Sequence, residues 1–239
     1  ILSGAEEYAP PEVMDARVEQ SLRDWLGSMS GGAVEAEVAA LRGPGAHALV
    51  TAATSPPADL LVVGTRGLGA IDQRLLGSIS RRLTEQAPCP VVVVPEGADE
   101  GTGPIVIGLD GTPDSNAAFD LAAELAERSA TELVVVNCVE PIGSGVPGNA
   151  LDQARELGEQ LLRARAAELD RRGIAHRSIL SFEPARVVLE ATAREESARL
   201  LLVGARGAGG MEKLLLGSVS SYLSAYADRA VAVVHRQQA

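Results

Sequence analysis

The chain has 239 residues, 46% of them hydrophobic, enough for a sizeable core and for one or two domains. Its formal charge is −11 and its aromatic content 3%. These exclude sequence-independent nucleic-acid binding, which needs basic phosphate contacts and stacking platforms, and docking on an anionic membrane surface. Two cysteines, Cys89 and Cys138, make neither a disulfide framework nor a metal cluster and point to a reducing, cytoplasmic compartment.

In chain order, the first periodic segment is a helix carrying Met14, Val18, Leu22 and Trp25. A strand is expected at 34–41, a helix at 46–53, a strand at 60–63, a helix at 78–86 and a strand at 91–94. Residues 95–103, PEGADEGTG, read as an exposed linker. The run 105–110, IVIGLD, reads as a buried strand. Thr112 then looks like an N-cap, followed by proline at the first helical position. The helix behind it aligns Ala118, Leu121, Ala122, Leu125 and Ala126 on one face. A strand at 133–139 and a Gly/Pro loop at 141–149 come next. A long helix carries Ala154, Leu157, Leu161 and Ala164 on one stripe and ends at Gly173. A strand at 176–182, a helix at 184–197, a strand at 200–203, a helix at 218–227 and a strand at 230–235 complete the chain. The apolar runs, such as 91–94 and 133–136, are far too short to span a membrane as helices, and the N-terminus shows no signal-peptide pattern.

The chain repeats itself. Residues 60–80, LLVVGTRGLGAIDQRLLGSIS, match residues 200–220, LLLVGARGAGGMEKLLLGSVS, at an offset of 140 positions. That period suits two copies of one small domain: an incomplete copy at 1–97, a linker at 98–103 and a complete copy at 104–239. The first copy has no counterpart to the first strand, first helix and most of the second strand of its partner. The chain also opens on Ile1, not Met, so it is expected to be a fragment of a longer protein. Alternating apolar strands and helices predict open, mostly parallel sheets covered on both faces, with ligands taken up where strand order reverses.

Each copy contains G-x2-G-x9-G-S: Gly64, Gly67, Gly77 and Ser78 in the first, Gly204, Gly207, Gly217 and Ser218 in the second. The first glycines follow a strand and the last Gly-Ser pair precedes a helix. Glycine permits positive φ and close approach of a ligand, and a helix N-terminus presents unpaired amides and partial positive charge to phosphate. Ser218 can cap the helix or donate to a phosphate oxygen.

These segments resemble the signature of the universal stress protein family, in its ATP-binding branch. Asp110 matches the acidic position at the end of that family's first strand. The resemblance covers nearly the whole chain and implies tandem α/β domains, each an open parallel five-stranded sheet of order 3-2-1-4-5, Rossmann-like, the first lacking its N-terminal strands. It implies that Asp110 accepts from ribose hydroxyls, that Gly108 lines the adenosine pocket and that Cys138 lies where adenine meets the backbone. Val203, Gly204, Arg206 and Gly207 would cover ribose and phosphates, and Gly217, Ser218, Val219 and Ser220 the phosphate tail. The matching positions of the first copy are Val63, Gly64, Arg66, Gly67, Gly77, Ser78, Ile79 and Ser80. That copy has no counterpart of Asp110 and is expected to bind nucleotide poorly.

No Walker lysine follows the loop, and no nucleophile elbow, H-E-x-x-H or Ser/His/Asp set occurs. The expected function is therefore an ATP-binding regulatory module of the stress response with at most slow hydrolysis, with or without Mg2+. The alternatives are an adenylating or pyrophosphatase-type enzyme of related fold, or a scaffold that binds no nucleotide. The apolar last strands, 91–94 and 231–234, are expected to pair the two copies, and a homodimer of the tandem chain is also expected.

Overall fold

The structure, a computed structural model, describes residues 11–29, 35–65, 76–98, 101–140, 148–207 and 216–236. The chain divides into two compact units, 1–48 and 49–239. The first contains helix α1 (Pro11–Met29), on which Val18, Leu22 and Trp25 are exposed and the side chain of Met14 lies outside the described residues. Helix α2 (Gly45–Thr54) crosses the boundary between the units.

No strand forms at 35–42, a correction to the strand expected at 34–41. A strand exists only through its neighbours' hydrogen bonds, and among the described residues no element of the first copy stands where the second copy has its second strand.

Among the described residues the strands all lie in the second unit: β1 (Leu61–Gly64), β2 (Val91–Val94), β3 (Ile105–Gly108), β4 (Leu133–Cys138), β5 (His176–Ser181), β6 (Leu200–Gly204) and β7 (Val231–Val234). Between them lie α3 (Ser78–Gln86), α4 (Pro113–Ser129), α5 (Gly148–Arg172), α6 (Ala185–Glu195) and α7 (Ser218–Tyr226). The strands form one sheet, ordered β1-β2-β7-β6-β3-β4-β5. The second copy contributes β5-β4-β3-β6-β7, the expected 3-2-1-4-5, and the last strands β2 and β7 join the two copies as expected. All neighbours are parallel except β2 and β7, which pair antiparallel with Val91 opposite Val233 and Val93 opposite Val231. Two apolar edges, VVVV and VAVV, cover each other, which removes the hazard of leaving either open. His235 adds a side-chain tie across the halves, its Nε2 lying 2.8 Å from the Thr84 carbonyl.

The core has a layer on each face of the sheet. Ile105, Ile107, Leu133, Val135 and Leu202 pack with Phe119 and the Ala118–Ala122–Ala126 stripe of α4. Val106, Val134, Val136, Leu201, Val203 and Val233 pack with Leu189 of α6 and Leu223 of α7. Thr112 caps α4 by accepting from the Ser115 amide, with Pro113 at the first turn, as read from sequence. Gly173 follows α5 in the left-handed region, φ 68°.

Two details differ from expectation. Leu157 is 65% exposed, and the buried stripe of α5 runs instead through Gly158, Leu162 and Leu169. The cause is a close approach, since a Cβ at Gly158 would lie 2.5 Å from Asn137 Oδ1 and 2.9 Å from Leu180 Cδ1. The linker is not all solvated: Gly101 is buried, and a Cβ at Gly101 or Gly103 would strike the main chain of 196–199. Arg199 holds this end by donating from Nε to the Gly103 carbonyl and from a terminal nitrogen to that of Thr102.

The first copy is half open, in keeping with the incomplete copy read from sequence. Val62 is 62% exposed, whereas its counterpart Leu202 is 0% exposed beneath α4. Within this unit no described helix of the first copy takes the place of α4.

Candidate functional site

The loops after β3 and β6 meet at the C-terminal end of the sheet. β3 lies between β4 and β6, with Gly108 opposite both Val136 and Val203. Chain connections leave β3 towards opposite sides here, the point at which open α/β sheets take up ligands.

The β3 loop is shaped by Asp110. Its Oδ1 accepts from the Thr112 amide at 3.0 Å and from the Thr112 hydroxyl at 2.6 Å, which turns the chain into α4. Asn137, buried on β4, donates to the Leu109 carbonyl at 2.6 Å and steadies the approach. Gly108 lies under Leu189 of α6.

The β6 loop presses against this turn. A Cβ at Gly204 would sit 2.5 Å from the Ser115 amide nitrogen and 2.7 Å from the Asp114 carbonyl carbon. A Cβ at Gly207 would sit 2.8 Å from Asp110 Oδ2. These glycines serve closeness rather than positive φ. Gly217 is likewise extended, with φ −72° and ψ 161°. Val203 is buried in the sheet.

Gly217 is the N-cap of α7 and has no side-chain capping bond. Ser218 is the first helical residue and exposed, so it does not cap the helix. The first-turn amides of Ser218, Val219 and Ser220 therefore have no intrahelical acceptor and point out of the helix start. The Ser220 hydroxyl is turned inward and donates to the Gly204 carbonyl at 2.5 Å. It fastens α7 to the end of β6.

The first copy repeats this framework. Gly77 is the uncapped N-cap of α3, and Ser80 donates to the Gly64 carbonyl at 2.7 Å. Gly77 donates to Thr65 as Gly217 does to Ala205, both at 2.7 Å. Val63, Ser78 and Ile79 hold the matching places, while Arg66 and Gly67 lie outside the described residues.

Two further placements bear on the site. The Arg206 guanidinium pairs through Nε with Asp114 at 3.0 Å, its side chain remaining 41% exposed. Asp114 was not singled out from sequence. The available signal was an acidic residue directly after Thr-Pro at the entry of a helix that faces a glycine loop. Cys138 ends β4 two positions beyond the Val136–Gly108 pair. Burial pushes its thiol up to about 11, and the Glu140 and Glu183 carboxylates add to the shift. Both cysteines are free. At pH 8 only about a thousandth of such a thiol is ionised, so native Cys138 should react with iodoacetamide about a hundredfold more slowly than in the urea-unfolded chain. Peptide-resolved mass spectrometry reads both rates, and equal rates would contradict the shift.

Among the described residues no group of three His, Cys, Asp or Glu could hold a metal ion, and no helix is long and apolar enough to cross a membrane.

Comparison with known proteins agrees with this architecture. The model of the universal stress protein family matches residues 3–95 and again 101–235. A universal stress protein of Mycolicibacterium smegmatis is 34% identical over 241 residues, covering 98% of this chain and 79% of that protein. One of Mycobacterium bovis is 34% identical over 193 residues, covering 77% of this chain and 63% of its own length. The crystal structure of a universal stress protein from Archaeoglobus fulgidus superposes with a TM-score of 0.70 at 19% identity, over 94% of this chain and 78% of that one. Two tandem matches, relatives along nearly the whole length and a shared fold establish that the chain belongs to the universal stress protein family.

Proposed function

We propose that this chain binds an adenine nucleotide, ATP in the first instance, where β3 and β6 end, and that it works as a nucleotide-responsive regulatory protein. The observation that carries the reading is the meeting of three features at the switch point. The Asp110 carboxylate suits ribose hydroxyls, Gly204 and Gly207 let the β6 loop close onto the turn that carries it, and the uncapped start of α7 suits phosphate. Gly108 and Cys138 border the nucleoside side. Val203, Arg206, Ser218, Val219 and Ser220 border the phosphate side. Magnesium accompanying a triphosphate keeps most of its waters and needs few protein ligands, which suits this donor set.

In the first copy, Gly64, Gly77 and Ser78 form the phosphate half of the site without an acidic partner. Arg66 and Gly67 would complete that half, and weak binding is the corresponding expectation. The repeat units belong to this reading as well: copies at 1–97 and 104–239 flank 98–103, in keeping with the two family matches. A homodimer of the chain would need a surface other than β2 and β7, because those two strands already pair with each other. A cytoplasmic location accords with the two free thiols.

Calorimetric titration with ATP and Mg2+ tests the proposal. The unmodified chain should take up one equivalent tightly. Asp110→Ala should weaken binding about tenfold or more by removing a charged acceptor, and Gly217→Val should abolish it by covering the helix start. Retained thermal melting would show that both variants fold. No uptake by the unmodified chain would overturn the reading, and rapid pyrophosphate release would replace it with an enzyme.

A further inference from the structure

Asp114 is only 3% exposed, although it stands in the first turn of α4 beside an open loop. A carboxylate so buried must be matched by donors. Three N–H groups from two distant segments supply the match. The Arg206 amide donates to Oδ2 at 3.1 Å and the Arg206 Nε to the same oxygen at 3.0 Å. The Arg236 amide, just past β7, donates to Oδ1 at 3.0 Å. The Thr112 hydroxyl lies 3.2 Å from the Arg206 carbonyl, and Gly204 is seated on the main chain of Ser115. The start of the β6 loop is thereby fastened to the first turn of α4 by the protein's own groups.

We infer that Asp114 is the positioning residue of the nucleotide loop: its buried carboxylate sets the main chain at Arg206 and holds the guanidinium away from the phosphates. The inference rests on the nucleotide-binding reading and adds how that site is kept in shape. Its consequence is an order of importance that the motif alone does not give. The phosphates are met by amides, and Arg206 acts as part of the loop's anchorage. Losing the carboxylate should therefore cost more than losing the guanidinium, because the carboxylate also holds two main-chain amides.

The test combines ATP titration with amide hydrogen exchange on the full chain. Asp114→Asn places an amide donor opposite the donors of Arg206 or the amide of Arg236, whichever way it turns, and should raise the ATP Kd about tenfold or more. Exchange at the Arg206 and Arg236 amides should accelerate while the melting transition stays cooperative. Arg206→Gln, which keeps its main-chain bond to Asp114, should raise the Kd only about two- to threefold. The double variant should bind no worse than Asp114→Asn alone, since the two side chains act as a unit. Unchanged affinity and unchanged exchange in Asp114→Asn would overturn the inference, as would effects that simply multiply in the double variant. Where Asp114→Asn does not fold, Arg206→Gln decides: a loss as large as that of Gly217→Val would make the guanidinium a phosphate ligand and refute the assignment. If the unmodified chain takes up no ATP, the nucleotide reading fails, and exchange at Arg206 and Arg236 alone decides whether Asp114 orders the loop.

Discussion

Gly204→Ala should destabilise the protein by about 3 kcal/mol and remove the proposed nucleotide binding with it. The new methyl group would meet the Ser115 amide nitrogen at 2.5 Å, the Asp114 carbonyl carbon at 2.7 Å and the Ser115 Cα at 2.9 Å. All three are main-chain atoms at the start of a capped helix, so no side chain can swing aside to make room. Relief would require α4 to move off β6, which would pull Asp114 from Arg206 and Phe119 from the core beneath. The counterpart substitution, Gly64→Ala, is expected to change stability by no more than about 0.5 kcal/mol, because Gly64 is exposed. Urea unfolding of both variants makes the comparison. Similar effects at the two sites would mean that the contact with α4 does not make Gly204 special.

The second large effect concerns the junction of the copies. Val91 and Val233 are fully buried and face each other across the antiparallel β2–β7 pair. Val233→Glu should cost about 4 kcal/mol or more, since it places a carboxylate in an apolar layer without a donor. Val91→Lys should be comparably damaging. The informative variant is the double one. If the strands stay paired, the two new charges meet as a cross-strand pair, and stability should recover by about 1–2 kcal/mol relative to the sum of the single changes. Strict additivity would show that the strands are not paired in solution.

The predictions draw unequally on sequence and structure. The helix after Thr112-Pro113 and the Ala118–Ala122–Ala126 face were legible because capping and helical periodicity are local properties. The site glycines were legible in position because the motif repeats, but their reason was misjudged. They are needed for close packing, and nothing in G-x2-G-x9-G-S says which backbone approaches. The stripe of α5 was misread by about one position, because Gly158 carries no apolar side chain yet marks where the helix comes down on β4 and β5. Ser220 was legible as part of the motif, whereas its inward bond to Gly204 was not.

By itself the sequence determined that two copies of one α/β unit stand 140 positions apart, that one of them lacks counterparts to its partner's opening elements, and that each ends in a glycine loop leading into a helix. These conclusions follow from periodicity, spacing and self-similarity, which local backbone preference writes directly into the chain. Only the tertiary structure decided that the last strands pair antiparallel with Val91 opposite Val233, that the face of β1 around Val62 is left open, and that Arg206 is held by Asp114. Those outcomes depend on which apolar edge finds a twin and which donors surround a buried carboxylate. Asp114 takes its donors from residues 92 and 122 positions away, so its environment exists only once the sheet has assembled.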